Sequence, residues 1–386
     1  MQTKQLYYDD IDLLEFSAKV LEINEVKDEY HVMLDQTAFY PEGGGMNCDK
    51  GFIDGIEIIN VIKKNDEIYH ILKTKPTKTE ILCQVDPYVR LTNIQIHDAQ
   101  HLLTGFFEKE YELFTVSHHV HGDYCDLVLE GSGELTLEVM QEIEEKSNQL
   151  ILEDRKIDIM LITKNDLAKF GLEDNPKYTD PIRLTNIDSL DDYNACGCLH
   201  FASVGKIQAV KCLGFEKVGK QYKILFTAGL KMLKLFAGYN DIIKDLKIIT
   251  KGNEDTMISK VEELVTKNIS LSKELNETKE QYYATKLDSL VEDGIVVYNG
   301  ADNSFDEIKI LANVIINSPN KVHGLLQTRK DDKYQFILVK QKGNDYSLED
   351  LFAKLKSDLN VQGGGRGLSI NGQSPVDLTK EIKKYL

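Results

Sequence analysis

The chain has 386 residues, 42% hydrophobic and 28% charged, enough to bury a sizeable core in two or three domains. Its net charge of −17 argues against a general nucleic-acid binder; residues 291–386 balance 13 Lys/Arg against 13 Asp/Glu, so residues 1–290 carry the whole excess. No apolar run reaches the roughly 18 residues of a membrane span, the N-terminal stretch lacks signal-peptide regions, and six scattered cysteines suggest thiols or metal ligands, so a cytoplasmic protein with no membrane role is expected.

Strands dominate the beginning. Residues 17–23 and 29–35 bracket a polar turn, and residues 56–62 and 67–72 bracket "KKND"; both read as hairpins. Between them lies "DQTAFYPEGGGMNCDKG", residues 35–51. Three consecutive glycines there open backbone conformations closed to other residues and let another group approach the main chain. Residues 92–109 have helical periodicity, with Ile96, Leu103 and Phe107 on related faces. In "VSHHVHGDYCDL", strand alternation puts His119 and His121 on one side, as a polar sheet face or a pocket wall. Residues 134–153 read as a second helix, and residues 205–226 return to strands.

Residues 229–249 are helical by pattern, and "TKGNEDT" breaks the helix. Met257, Val261, Leu264, Asn268, Leu271, Leu275, Thr278 and Tyr282 then alternate spacings of four and three, a heptad seam with Asn268 at an a position. It suits an intrachain helical hairpin or a dimerising coiled coil. From Val291 strands and helices alternate densely, as in an α/β unit, ending in "VQGGGRG".

The chemistry concentrates in two short stretches. His97 and His101 in "HDAQH" share one helix face and can bind one metal ion. "CGCLH", residues 196–200, adds Cys196 and His200 at the same spacing, with Cys198 as a second candidate for the sulfur. One thiolate and three imidazoles suit tetrahedral zinc better than magnesium or calcium. A cysteine-protease nucleophile at Cys196 is the rival reading, and it leaves the pairing of His97 and His101 unexplained.

Three ordered blocks, "QTAFYPEGGGMNCDKG", "HDAQHLL" and "CGCLHFASVGKI", resemble the signatures of the alanyl-tRNA synthetase editing domain and its freestanding AlaX relatives. Thr37, Phe39 to Gly45, Asp49 and Gly51 match the first block. His97, His101, Leu102 and Leu103 match the second, and Cys196, Gly197 and His200 the third. This resemblance spans about residues 5–235, and selects Cys196 over Cys198 as the metal ligand. The remainder resembles the C-terminal DHHA1 domain of the same synthetases, as in long-form AlaX. Met46, Cys198 and Leu199 depart from the family pattern, which has Gln, Gly and Thr there.

The resemblance implies an α+β protein. Its expected parts are a glycine-motif β-barrel at residues 1–88, a zinc-containing editing core at 89–232, a helical hairpin or coiled-coil linker at 233–290, and a DHHA1-like domain at 291–386. It implies a zinc-dependent hydrolase that deacylates tRNA(Ala) mischarged with serine or glycine, dimeric through its C-terminal region. A non-catalytic tRNA-binding adaptor and an editor of another mischarged tRNA are the alternatives. Thr37 is the candidate sensor of the serine hydroxyl and Glu42 a candidate for orienting water. Gly43, Gly44, Gly45, Met46 and Arg90 are candidate substrate contacts, with Arg90 meeting a phosphate. Lys321, Arg329, Lys330 and Arg366 are candidate RNA contacts in the net-neutral tail.

Overall fold

A computed structural model describes residues 3–176, 178–190, 192–330 and 333–386. The fold is mixed α+β and divides into two compact units, Met1–Lys244 and Asp245–Leu386.

The first unit opens with β1 (Lys4–Gln5), β2 (Glu15–Val26), β3 (Glu29–Leu34), β4 (Gln36–Thr37), β5 (Gly51–Ile53), β6 (Ile56–Lys64), β7 (Glu67–Leu72) and β8 (Glu80–Val85). Where a small β-barrel is expected, six of these strands close a hydrogen-bonded ring in the order β2-β3-β7-β6-β5-β8. Both expected hairpins are present, β2 with β3 and β6 with β7. Asn65 and Asp66 turn the second with φ of 51° and 63°, a left-handed conformation these short polar side chains tolerate. Val32, Leu34, Ile53, Ile58, Val61, Ile68 and Leu72 are buried within the ring strands.

Helix α1 (Pro87–Tyr111) begins five residues before the expected start at Thr92. Periodicity cannot see a cap. The Asp86 carboxylate accepts from the amides of Tyr88 and Val89 at 2.8 and 3.0 Å, and Pro87 occupies the first helical position. From Arg90 to Phe107 nearly every residue of α1 is buried, polar ones included. A helix sunk in the core on all sides must find internal partners for those polar groups.

There follow β9 (Leu113–His121), β10 (Tyr124–Gly131), α2 (Leu137–Leu152), β11 (Ile157–Ile162), β12 (Ile182–Ile187), β13 (Asn194–Ala195), β14 (Val210–Val218), β15 (Gln221–Ala228) and α3 (Gly229–Thr250). Strands β14-β15-β10-β9 form an antiparallel sheet, against which α1 packs, and β11-β12-β13 form a smaller one. The smaller sheet escapes sequence reading because its polar and apolar residues do not separate: Leu161 on β11 is 69% exposed, and Thr185 and Asn186 on β12 are buried.

The second unit holds α4 (Met257–Leu290), β16 (Val291–Glu292), β17 (Ile295–Asn299), α5 (Phe305–Ile316), β18 (His323–Lys330), β19 (Lys333–Lys340), α6 (Leu348–Leu359), β20 (Gln362–Arg366), β21 (Ser369–Ser374) and α7 (Leu378–Glu381). Its sheet runs β16-β17-β18-β19-β21-β20, with β17 and β18 parallel across α5. Neighbouring residues of β18 and β19 face opposite layers. Leu326 and Ile337 pack with Ile308, Leu311 and Ile315 of α5, while Leu325 and Phe336 pack with Leu348, Leu351 and Leu355 of α6. On α4 the seam residues Val261, Leu264, Leu271, Leu275 and Tyr282 are exposed, whereas Tyr283 and Leu287 enter the core beside α5. Among the described residues no helix is long and apolar enough to cross a membrane.

Candidate metal centre

Helix α1 presents His97 and His101 one turn apart, and their Nε2 atoms lie 3.3 Å from each other. Cys196, held by its amide on the carbonyl of Arg183, brings Sγ to 3.2 Å from His97 Nε2. His200 completes the group, and the four ligand atoms lie within 4.8 Å of one another. Tetrahedral zinc, with Zn–N of about 2.0–2.1 Å, places its nitrogens about 3.4 Å apart. The 3.3 Å separation of the two helical imidazoles fits that donor set.

His200 is the best-defined of these candidate ligands. Its Nδ1 donates to Asp98 Oδ1 at 2.6 Å, and the other Asp98 oxygen accepts from the Phe201 amide at 3.0 Å. That bond assigns the ring proton to Nδ1 and leaves a lone pair on Nε2, which is buried without a hydrogen-bond partner. Burial lowers the His97 and His200 pKa values to about 3 and holds His101 well below the usual range, so all three remain neutral donors at physiological pH. Burial also pushes the Asp98 carboxyl well up. A cation held by its histidine would offset that cost.

The glycine loop closes over this group. Gly43 and Met46 exchange backbone hydrogen bonds at 3.0 and 3.2 Å, making a tight turn with Gly44 and Gly45 at its tip, φ 61° and 80°. A Cβ on Gly44 would stand 2.5 Å from Cys198 Sγ, and one on Gly45 1.7 Å from His118 Nε2. The tip therefore rests on Cys198 and His118, and the His118 ring lies 6.1 Å from that of His97. The glycines are needed for handedness and for space together.

The remaining candidates fall in different places. Thr37 is fully buried. His70 Nδ1 faces the Val32 carbonyl at 3.1 Å, so it carries the ring proton, and the Thr37 hydroxyl donates to Nε2 at 2.8 Å. Thr37 Oγ1 also accepts from the Phe39 amide at 3.1 Å, which leaves it a single lone pair. Glu42 is exposed at the mouth of the loop. Arg90 is not placed to meet a phosphate. It is 3% exposed, grips Asp49 through Nε and Nη2, and donates to the carbonyls of Ile11 and Ala38. The Met46 side chain is buried in the core with Leu199, so only its backbone borders the loop.

His119 and His121 share one side of β9, as alternation suggests, but both face Asp126 at 3.4 Å, with Lys223 also on that carboxylate. His118, just before them on β9, points the other way to the glycine loop. The four tail cations do not form one patch. Lys321 precedes β18 and Arg329 and Lys330 end it, while Arg366 pairs with Ser369, which pairs with Val339 opposite Gly324. Arg366 thus shares the Lys321 end of the sheet, and Arg329 and Lys330 occupy the other.

Sequence reasoning missed three residues of the centre. Asp98 sits inside "HDAQH" and was legible as a carboxylate beside the ligands. Arg183 donates to the Cys198 carbonyl and lies 5.1 Å over the ring of Tyr8, whose hydroxyl donates to the Gly197 carbonyl at 2.6 Å. Nothing in their local sequence marks Arg183 or Tyr8.

Comparison with known proteins agrees with the three-block pattern. The class II (A) tRNA synthetase family matches residues 2–89. The chain is 28% identical over 380 residues to the alanyl-tRNA editing protein AlaX-L of Pyrococcus horikoshii, covering 94% of this chain and 92% of that one. It is 29% identical over 243 residues to the alanyl-tRNA editing protein Aarsd1-A of Xenopus laevis, covering 61% and 58%. It is 28% identical over 292 residues to an alanine–tRNA ligase of Thermofilum pendens, covering 72% of this chain and 32% of the ligase. The resemblance to long-form AlaX therefore extends along nearly the whole chain.

Proposed function

We propose that this protein is a cytoplasmic aminoacyl-tRNA hydrolase that acts in trans, removing serine and glycine wrongly esterified to tRNA(Ala). The observation that carries the reading is the set His97, His101, Cys196 and His200, gathered within 4.8 Å beneath a glycine turn. The alanyl-tRNA editing proteins to which the chain is similar support it. Such an enzyme has a physical reason to exist. A pocket built for alanine rejects serine or glycine only modestly, because one hydroxyl or one methyl changes affinity little, so a second site must cleave the wrong ester.

His97, His101, Cys196 and His200 would hold a zinc ion, which would supply Lewis acidity for polarising an ester carbonyl or for lowering the pKa of a water to about 7. The chain does the rest. Three neutral imidazoles and one thiolate would hold the ion, and Asp98 fixes the tautomer of His200. The backbone of Gly43 to Gly45 admits the terminal nucleoside closely, with Met46 closing the turn. Glu42, free at its mouth, orients a water. Thr37 has spent its proton on His70, so it senses serine by accepting from the substrate hydroxyl through its remaining lone pair. Arg90 keeps the loop base in place through Asp49. The net-neutral C-terminal segment carries tRNA contacts through Lys321 with Arg366, or Arg329 with Lys330, and the exposed seam of α4 pairs two copies of the chain.

The test is deacylation. Purified protein should release serine from seryl-tRNA(Ala) and glycine from glycyl-tRNA(Ala) well above the spontaneous rate, and spare alanyl-tRNA(Ala). No release from either substrate by zinc-loaded protein leaves the adaptor reading. Faster release from tRNA(Thr) mischarged with serine would reassign the substrate.

A further inference from the structure

Of the candidate ligand imidazoles, His200 has a carboxylate for its second ring nitrogen, whereas His97 Nδ1 is buried without a partner, and the same requirement falls on His101. Its Nε2 faces His97, so Nδ1 is left to be held. Beside His101 lies a small cavity of ≈ 10 Å³, roughly the size of one water, lined by Thr185, Ile187, Leu190, Asp192 and Asn194 among others. Thr185 is 2% exposed, and its hydroxyl is buried without a partner. Alternation along β12 puts Arg183, Thr185 and Ile187 on one face, and Arg183 already reaches the Cys198 carbonyl, so that face looks toward the metal centre. Asp192 approaches from the other side. A Cβ on Gly105, one helical turn beyond His101, would stand 3.2 Å from Asp192 Oδ2 and 2.9 Å from Leu190 Cδ1. That carboxylate oxygen accepts from Asn194 at 2.7 Å, which leaves acceptor capacity toward the cavity.

We propose that Thr185 and Asp192 hold a single water that accepts the remaining ring N–H of His101, making both of them positioning residues for the metal site. The water accepts from the Thr185 hydroxyl and the imidazole N–H and donates one hydrogen to the Asp192 carboxylate, and its second hydrogen is left for Asn186 Oδ1, which also lines the cavity and is buried without a partner. The outcome for His101 matches what Asp98 does for His200: a fixed tautomer, a fixed ring plane and a more basic ligand nitrogen. A threonine on a buried strand explains itself this way, since valine would fill the same space without an unpaired hydroxyl.

The inference rests on the metal reading of the four residues but not on any substrate. The experiment is zinc affinity of the full-length protein, measured by competition with a chromophoric chelator. Thr185→Val keeps the shape and removes the hydroxyl, and Asp192→Asn removes the charge; each should weaken zinc roughly 10-fold or more. Thr185→Ser restores the hydroxyl and should bind within about 2-fold of the parent, a rescue that a packing role would not produce. Circular dichroism of each zinc-free variant confirms that it is folded. If the parent binds zinc and Thr185→Val binds it equally well, or Thr185→Ser is as weak as Thr185→Val, the proposal is overturned alone. If the parent binds no zinc, the metal reading falls and this inference with it.

Discussion

Asp98 Oδ1 and His200 Nδ1 lie 2.6 Å apart, and both side chains are wholly buried. One residue on helix α1 thus sets the chemistry of another that is 102 positions away in the chain. Replacing Asp98 by Asn should show what the carboxylate does. The amide can donate to Nδ1, which moves the ring proton to Nε2 and removes the ligand lone pair. Zinc affinity of Asp98→Asn should fall about 10- to 100-fold, as read by chelator competition. Unchanged affinity would mean that packing alone orients His200.

Metal content itself is directly measurable. Protein isolated without chelator should carry about one zinc per chain, the count that one set of four ligands can hold. A His101→Ala, Cys196→Ala double variant should carry almost none. Full zinc in that variant, by elemental analysis, would place the ion elsewhere.

The fit of the glycine loop on His118 predicts a coupled pair. Gly45→Ala puts a side chain at φ 80° and drives it into His118 Nε2. The left-handed conformation alone costs about 1–2 kcal/mol. His118→Ala removes the obstruction, so the double variant should recover part of the loss, with a coupling of about 0.5–3 kcal/mol. Denaturant unfolding of the four proteins measures it, and strict additivity would show that the loop can move aside.

Thr37 and His70 link stability to pH. His70 is fully buried, and burial lowers its pKa from 6.5 to about 4. Below pH 6.5 the unfolded chain binds a proton that the folded chain refuses, so stability present above that pH is lost as pH falls toward 4. One proton corresponds to about 1.36 kcal/mol per pH unit, so roughly 2 kcal/mol disappears from this residue between pH 6.5 and 5. His70→Gln should flatten that part of the curve. Thr37→Val strips His70 Nε2 of its donor and should cost about 1–3 kcal/mol. If Thr37 also senses serine, the ratio of seryl to alanyl hydrolysis should fall in the same variant, by roughly 2- to 13-fold for a bond worth about 0.5–1.5 kcal/mol.

The split of the tail cations makes a prediction about RNA. Lys321→Glu with Arg366→Glu alters one end of the sheet, and Arg329→Glu with Lys330→Glu the other. One pair should weaken binding of whole tRNA(Ala) clearly more than the other. For every cation that no longer neutralises a phosphate, the slope of log affinity against log salt should become shallower by about 0.9. Equal, negligible effects would exclude both ends as the docking surface.

Local sequence determined the local features of this protein. Alternation and turn residues marked the hairpins of the strand ring, helical periodicity marked α1 and α2, and heptad spacing marked α4. The i, i+4 spacing put His97 and His101 on one helix face, and three ordered motifs carried the likeness to alanyl-tRNA editing proteins, because such patterns are written in neighbouring residues. Tertiary structure decided what each polar group does, because partners are chosen by folded position. Arg90 looks like a phosphate ligand in sequence, yet folding spends it on Asp49, forty-one positions away. Thr37 reads as a free hydroxyl until His70, on strand β7 of the ring, arrives to accept its hydrogen bond. The smaller sheet was illegible because β12 buries Thr185 and Asn186 where a strand pattern wants apolar residues. Only the tertiary fold brings that residue to the cavity beside His101.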